Sequence, residues 1–291
     1  MISQVEDGMT DNSLDHERII ARLGTHRIIA PKRFRLADCD PDSLGDLTRE
    51  DKAAAKDALK VERKRIRDLQ ERLYAEHGQS LLVVMQATDT GGKDSTIRRV
   101  LKGINPQGVK VWSFKRPSEE ELDHDYLWRY HQHTPRRGMI SIFNRSHYED
   151  VLVVRVKKLV PKSVWSPRYE QINDFERLLA DNGTRVLKFF LNISKEEQKE
   201  RLQDRLDEPD KHWKFHAADL EERAHWDDYQ RAFQDAIRKC STDAAPWCVV
   251  PANRKWYRDL VVARAIADTL EAMNPQFPPP EAMLDEIVIP D

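Results

Sequence analysis

The fold turns on Leu81-Leu-Val-Val-Met85 and the residues that follow, Gln86-Ala-Thr-Asp89-Thr90-Gly91-Gly92-Lys93-Asp94-Ser95-Thr96. A continuous aliphatic run of this length reads as a strand buried on both faces. It turns through two glycines into a helical pattern that opens with lysine, an order that suits phosphate binding. Gly91 and Gly92 let backbone N–H groups point inward at oxygen. The helix N-terminus adds partial positive charge, and Lys93 reaches terminal phosphoryl groups. Against the usual spacing G-x-x-x-x-G-K-S/T, Ala87 replaces the first glycine and Asp94 the hydroxyl residue that normally meets the metal. A plain turn with a solvated lysine is the alternative, but the strand before and the helix after favour phosphate. Asp89 would repel phosphate unless it holds Mg²⁺ or takes part in activating the attacking group, an Asx turn being the other use of such a residue.

Further along, short apolar runs alternate with helical patterns. Val109 to Phe114, Gly138 to Phe143, Val186 to Leu191 and Trp247 to Val250 read as four more strands. Helices are expected at Thr96–Lys102, Glu119–Tyr130, Glu149–Leu159, Arg168–Ala180, Ser194–Leu206, Asp219–Lys239 and Asn253–Met273. That alternation predicts an α/β domain with a parallel five-stranded sheet and helices on both faces. Upstream, Leu47 to about His77 has no Gly or Pro and carries Leu59, Ile66, Leu69 and Leu73 at helical spacing, ended by Gly78. It reads as a long amphipathic helix packed on the core. Helix-mediated self-association is its second use, so a homo-oligomer is expected. Residues 1–46 read as a weakly patterned arm, 47–274 as the main domain and the proline-rich 275–291 as a tail.

Asn144-Arg145-Ser146-His147-Tyr148-Glu149-Asp150 follows the third strand. Ligands of open parallel sheets bind at the carboxyl ends of strands. Arg145 is thereby placed for a transferring phosphoryl group, and Glu149 or Asp150 for its metal. An ordinary acidic first turn of a helix would explain the two acids but not Arg145. Arg205-Leu-Asp-Glu-Pro209-Asp-Lys211-His-Trp213-Lys214-Phe215 mixes cations with aromatics around a proline, as a helical lid over phosphates at about 205–226 would. A surface loop is the alternative.

The chain has 48 Lys and Arg against 50 Asp and Glu, a formal charge of −2, yet its cations are clustered. Lys93, Arg98, Arg99, Lys102, Lys110, Lys115 and Arg116 face one acid, Asp94, over residues 93–116. Arg155, Lys157, Lys158, Lys162 and Arg168 face none over 155–168. Beside a phosphate loop, such clusters suggest a long polyanion, although solvated helix faces account for part of any basic run. The near-zero charge and the absence of RNA-module aromatic motifs argue against nucleic acid. No run approaches the ~20 apolar residues of a membrane helix. Met1-Ile-Ser-Gln-Val-Glu-Asp7 lacks the order of a secretory signal, and Cys39, Cys240 and Cys248 form neither a metal spacing nor a disulfide framework. A cytoplasmic location is expected.

These residues resemble the polyphosphate kinase 2 family. The resemblance rests on Gln86–Asp94, on Gly103-Ile-Asn-Pro-Gln-Gly108, on His124-Asp-Tyr-Leu-Trp-Arg129, on Phe143-Asn-Arg-Ser-His-Tyr148 and on Asp210-Lys-His-Trp-Lys214. It covers roughly residues 50–273. It implies a P-loop kinase-like core in which Leu81–Met85 lies between Gly138–Phe143 and Val186–Leu191, and phosphoryl transfer between inorganic polyphosphate and nucleotides with Mg²⁺. The Phe-Asn-Arg-Ser-His-Tyr version is similar to the subgroup that accepts both mono- and diphosphates, of adenine and as a second candidate guanine. Carried over, Asp89 is the metal-binding or activating carboxylate, Lys93 the phosphate-loop lysine and Arg145 the second-motif arginine, all three catalytic. Because Asn144 brings no charge, Glu149 near the same strand end is expected to help Asp89 hold the metal. Thr90, Gly91, Gly92, Asp94, Ser95 and Asn144, with the lid cations Arg205, Lys211 and Lys214, bind phosphate and nucleotide. Arg98, Arg99, Lys102, Lys110 and Lys115 track polyphosphate. Asn144 departs from the Asp of many relatives. An ATP-dependent nucleoside monophosphate kinase and a non-catalytic polyphosphate-binding module are the rival readings.

Overall fold

Alternation along the central strand divides the molecule into two cores. In the computed structural model, which describes residues 11–27, 31–281, 284, 287 and 289, β1 is Ser80–Gln86, β2 Val109–Ser113, β3 Ile140–Asn144, β4 Thr184–Asn192 and β5 Trp247–Pro251. The order is β2-β3-β1-β4-β5, with every neighbouring pair parallel. β1 therefore lies between β3 and β4, as expected. Leu81, Val83 and Met85 enter one apolar core and Leu82 and Val84 the other. Each such side chain contributes roughly 1.5–3 kcal/mol on burial, so an apolar residue at every position fixes β1 in the middle.

The helices are α1 (Asp11–Ala21), α2 (Lys52–Glu76), α3 (Lys93–Val100), α4 (Glu119–Asp123), α5 (Trp128–His131), α6 (Val153–Val156), α7 (Lys162–Trp165), α8 (Arg168–Asp181), α9 (Lys195–Asp207), α10 (Ala218–Ala224), α11 (Trp226–Cys240) and α12 (Lys255–Met273). α2, α3 and α12 cover the face of Leu81 and Val83, while α8 and α11 cover the other. The apolar stripe of α2, including Ala55, Leu59 and Ile66, packs under α12. That stripe is therefore not available for the self-association expected of α2. Within the arm, Asp11–Ala21 forms a helix, α1, that lies on α2. His16 meets the fully buried Glu62 at 2.7 Å, and Arg22 pairs with Asp51 at 2.9 Å.

Three expected helices are broken, each for a local reason. Glu119–Tyr130 divides into α4 and α5, because Ser118 forms a capping box with Glu121 and Asp125 turns the chain by accepting from the Leu127 amide. Glu149–Leu159 becomes a 3-10 turn at His147–Asp150, capped by Ser146, followed by the short α6. Asp219–Lys239 is interrupted at His225 between α10 and α11. α3 starts three residues earlier than expected, directly after Gly92. No described helix is long and apolar enough to cross a membrane.

Candidate active site

The loop after β1 is built around two glycines with different duties. A Cβ on Gly91 would stand 2.4 Å from the Ala87 Cβ, and Gly92 has φ +97°, which other residues rarely adopt. The Gly91 amide donates to the Thr88 carbonyl at 3.0 Å, closing the turn. Lys93 opens α3, and its Nζ donates back to the Ala87 carbonyl at 3.1 Å. It is partly buried, not the solvated lysine of the alternative reading. Burial, with Arg145 nearby, lowers its pKa against the pull of Asp89 and Glu149. The hydroxyls of Thr88 and Thr90 are buried without a partner among the described residues. Such groups are costly to leave unsatisfied, and two in the loop that leads into α3 fit phosphate oxygens as acceptors, although the Gly91 amide expected there is spent on the turn.

The loop is braced from behind by residues absent from the sequence-based site. Gln198 Nε2 donates to the Asp89 carbonyl and Arg201 Nη1 to the Thr90 carbonyl, both at 3.0 Å. Arg201 Nη2 also holds the Ala252 carbonyl at 2.6 Å. Ser95 is a structural residue here: its Oγ donates to the Gly92 carbonyl at 2.9 Å and accepts from Arg258 at 3.2 Å. Arg258 and its buried neighbour Asp259 pair at 2.6 Å. Nothing in the sequence sets Gln198, Arg201 and Arg258 apart from other polar helix residues, because their partners lie in distant segments.

β3 delivers the second half of the site. Arg145 follows Asn144 with φ +64°, a strained backbone for a long side chain. Its Nη2 meets Asp89 Oδ1 at 3.2 Å, so the two principal candidates form an ion pair across the ends of β1 and β3. Glu149 belongs to the same cluster. Burial raises its carboxyl pKa, and Asp89 adds to this, whereas Arg145, Lys93 and a hydrogen bond from Gln86 oppose it. Asn144 and Asp94 are joined, Asn144 Nδ2 donating to Asp94 Oδ1 at 2.6 Å. The carboxylate missing from position 144 thus stands one hydrogen bond away, at the position where phosphate loops usually carry a hydroxyl.

Above these residues opens a cleft of about 1060 Å³, with Thr88, Asp89, Arg145 and Glu149 at its floor. Lys115, Arg116 and Arg129 line one side, Asp219, Glu222 and Tyr229 the lid side, and Leu122, Leu152, Val153 and Phe233 supply apolar wall. Asp150 is in the wall, its pKa pushed up to about 6 by burial although Arg168 pairs with it at 3.0 Å. The lid cations are engaged with the lid itself. Arg205 bonds the Lys214 carbonyl and Asp219, Lys211 pairs with Glu208, and Lys214 lies 4.9 Å from the Trp213 ring. Trp213 is 75% exposed, so in this arrangement it covers nothing.

The basic clusters divide. Arg99 is not on the expected track, because it is turned to Asp259 at 3.0 Å. Arg98 and Lys102 are exposed on α3 and the turn after it, and Lys110 lies over the Trp112 ring at 5.9 Å. From the tract 93–116, Lys115 and Arg116 reach the cleft. The second cluster is only partly open, Lys158 and Lys162 being exposed. Arg155 is paired with Asp235, Lys157 with Glu222 and Arg168 with Asp150. Among the described residues no three Asp, Glu, His or Cys side chains converge as a ready-made metal site. A pair of carboxylates completed by phosphate oxygens is nevertheless the donor set that Mg²⁺ takes in phosphotransferases, and Asp89 with Glu149 fits it.

A model of the polyphosphate kinase 2 (PPK2) family matches residues 49–278. An AMP/ADP-polyphosphate phosphotransferase of Meiothermus ruber is 55% identical over 264 residues, 91% of this chain and 98% of its own length. An ADP-polyphosphate phosphotransferase of Rhodopseudomonas palustris is 44% identical over 86% of this chain and 93% of its own. The crystal structure of polyphosphate kinase 2 from Arthrobacter aurescens matches with a TM-score of 0.85 at 40% identity, covering 98% of this chain and 97% of that one.

Proposed function

The chain belongs to the polyphosphate kinase 2 family, and from that premise we propose that it transfers phosphoryl groups between inorganic polyphosphate and both AMP and ADP, with Mg²⁺. The observation that carries the reading is the Asp89–Arg145 pair over the ends of β1 and β3, with Lys93 and Glu149 beside it. The terminal phosphate of the nucleotide lies at the floor of the cleft, received by the loop amides and the Thr88 hydroxyl. The polyphosphate end enters past Lys115 and Arg116. Arg145 exchanges its contact with Asp89 for the moving group, whose three equatorial oxygens carry the charge in an in-line transfer. Lys93 leaves the Ala87 carbonyl for the same oxygens. Asp89 and Glu149 would hold Mg²⁺ with phosphate oxygens, which neutralises charge on the reacting groups. An acceptor phosphate is already anionic, so no general base is needed and the residues act by position and charge. Closure of the lid brings Arg205, Lys211 and Lys214 toward the phosphates and excludes water. The nucleoside occupies the apolar part of the cleft.

Incubation with AMP, Mg²⁺ and polyphosphate, without ATP, should yield ADP and then ATP by nucleotide chromatography. Consumption of AMP only when ATP is supplied would establish an ordinary monophosphate kinase instead. Binding of polyphosphate without any turnover would leave only a binding module.

A further inference from the structure

Lys188 interrupts the apolar pattern of β4 and is 0% exposed on the sheet face covered by α8 and α11. Its Nζ donates to Glu176 Oε2 at 2.5 Å, to the Tyr148 hydroxyl at 2.7 Å and to the Cys240 carbonyl at 2.6 Å. The other Glu176 oxygen accepts from the Tyr148 hydroxyl at 2.9 Å and meets His147 Nε2 at 3.1 Å. Burial works to raise the Glu176 pKa, but Lys188 and His147 hold its carboxyl below the ordinary range. Well-packed apolar residues fill such a space at far lower desolvation cost. Packing alone therefore does not account for this cluster, and nothing in the phosphoryl-transfer step uses it directly.

Its position offers an account. His147 and Tyr148 follow Arg145 and Ser146, so both anchors lie within three residues of the strained φ of Arg145. On the other side the Arg145 amide donates to the Met85 carbonyl at 3.2 Å, and Gln86 Nε2 donates to Ser146 Oγ at 3.1 Å. The strained residue is thus fixed toward β1 by backbone and toward α8 and β4 by the buried charges. A left-handed arginine persists only where its surroundings over-determine it. We propose that the Lys188–Glu176 pair, acting through His147 and Tyr148, is the positioning device that keeps Arg145 in its left-handed conformation with its guanidinium at the cleft. The inference rests on the role given to Arg145 above.

The test is Lys188→Met with Glu176→Leu, which removes both charges together and, with them, the partners of His147 and Tyr148. Paired apolar replacement avoids leaving one buried charge alone, but it strips partners from His147, Tyr148 and the Cys240 carbonyl, so the unfolding temperature should fall and kcat is read on the folded variant below it. The kcat should fall roughly 100-fold, the scale of a misplacement of about 1 Å, with the nucleotide KM little changed. In an Arg145→Ala background the same pair of substitutions should cause no further loss. The milder Tyr148→Phe, which keeps the ring, should show the same pattern at smaller size and serves if the double variant does not fold. Wild-type kcat in either folded variant, or an equal loss with and without Arg145, would overturn positioning. Full turnover by Arg145→Ala alone would overturn the role of Arg145 and this inference with it. If positioning alone fails, Arg145→Ala is still strongly impaired, with residual turnover that the pair of substitutions lowers further.

Discussion

The contact between Asn144 and Asp94 offers a sharp perturbation, Asn144→Asp. In place of a donor 2.6 Å from the Asp94 carboxylate, the variant sets a second carboxylate oxygen at about that separation. The repulsion between two such charges lies between about 1.6 kcal/mol in a water-like dielectric and about 6 kcal/mol in an effective dielectric near 20. Asp94 is exposed, so the lower end applies, about 2 kcal/mol, to which the lost hydrogen bond adds about 1 kcal/mol. For a chain of 291 residues the unfolding entropy is about 0.6 kcal/mol/K, so the melting temperature should drop by about 5 °C. The drop has a definite pH dependence. The paired carboxylates share a proton in the folded state, so their pKa lies above the unfolded value. The deficit is absent at low pH and opens as pH rises through that raised pKa. Mg²⁺ should also close it, because a cation between the two carboxylates removes the repulsion. The measurement is thermal unfolding of both proteins across pH, with and without Mg²⁺, together with turnover of AMP and ADP, whose ratio should change. Equal melting of variant and wild type at about pH 8 without Mg²⁺ would refute the reasoning.

Lys93→Ala and Asp89→Asn should each abolish turnover while leaving the circular dichroism and melting of the fold intact, since one such contact is worth about 3–4 kcal/mol in the transition state. Substantial activity in either folded variant removes the loop from the mechanism. Lys115→Glu with Arg116→Glu should weaken polyphosphate binding more than AMP binding, and the difference should shrink as salt is raised. Equal effects on both ligands at every ionic strength mean that the rim does not guide the polyanion. Because burial raises the Glu149 pKa, turnover should be lost as pH falls through a value above the ordinary glutamate range. Added Mg²⁺, competing with the proton, should move that limb to lower pH. An acid limb indifferent to Mg²⁺, or unchanged in Glu149→Gln, places the titration elsewhere.

The sheet was legible because its signal is local. An unbroken apolar run such as Leu81–Met85 has no other use in a charged chain, and the strand-end rule then places Asp89 and Arg145 together without any knowledge of helices. The break at Asp125 is silent in the pattern because a single side chain turning the backbone leaves the periodicity on either side intact. The buttresses of the loop were hidden for a different reason. Arg201 and Arg258 look like solvated helix charges until the fold shows which way they face, and Lys188 in the run Val186–Leu191 was an irregularity that periodicity passed over. The basic tracts misled in the opposite sense. Counting cations along the chain cannot tell Lys115, at the cleft, from Arg99, spent on Asp259, because their partners come from distant segments.

The packing of α2 against α12 has a consequence for how the chain reaches its fold. These helices stand at opposite ends of the domain in sequence, and the central strand β1 waits between β3 and β4, both made later. During synthesis Ala55, Leu59 and Ile66 on α2 and all of β1 are therefore finished long before α12 and the flanking strands exist to cover them. Closing such distant contacts is slow, and apolar surface left open meanwhile invites association with other nascent chains. A ribosome that stalls before Lys255 holds a polypeptide with its active-site loop already made and one face of its sheet, and the stripe of α2, lacking the cover of α12. Such a fragment would be a client for chaperones rather than a slower enzyme.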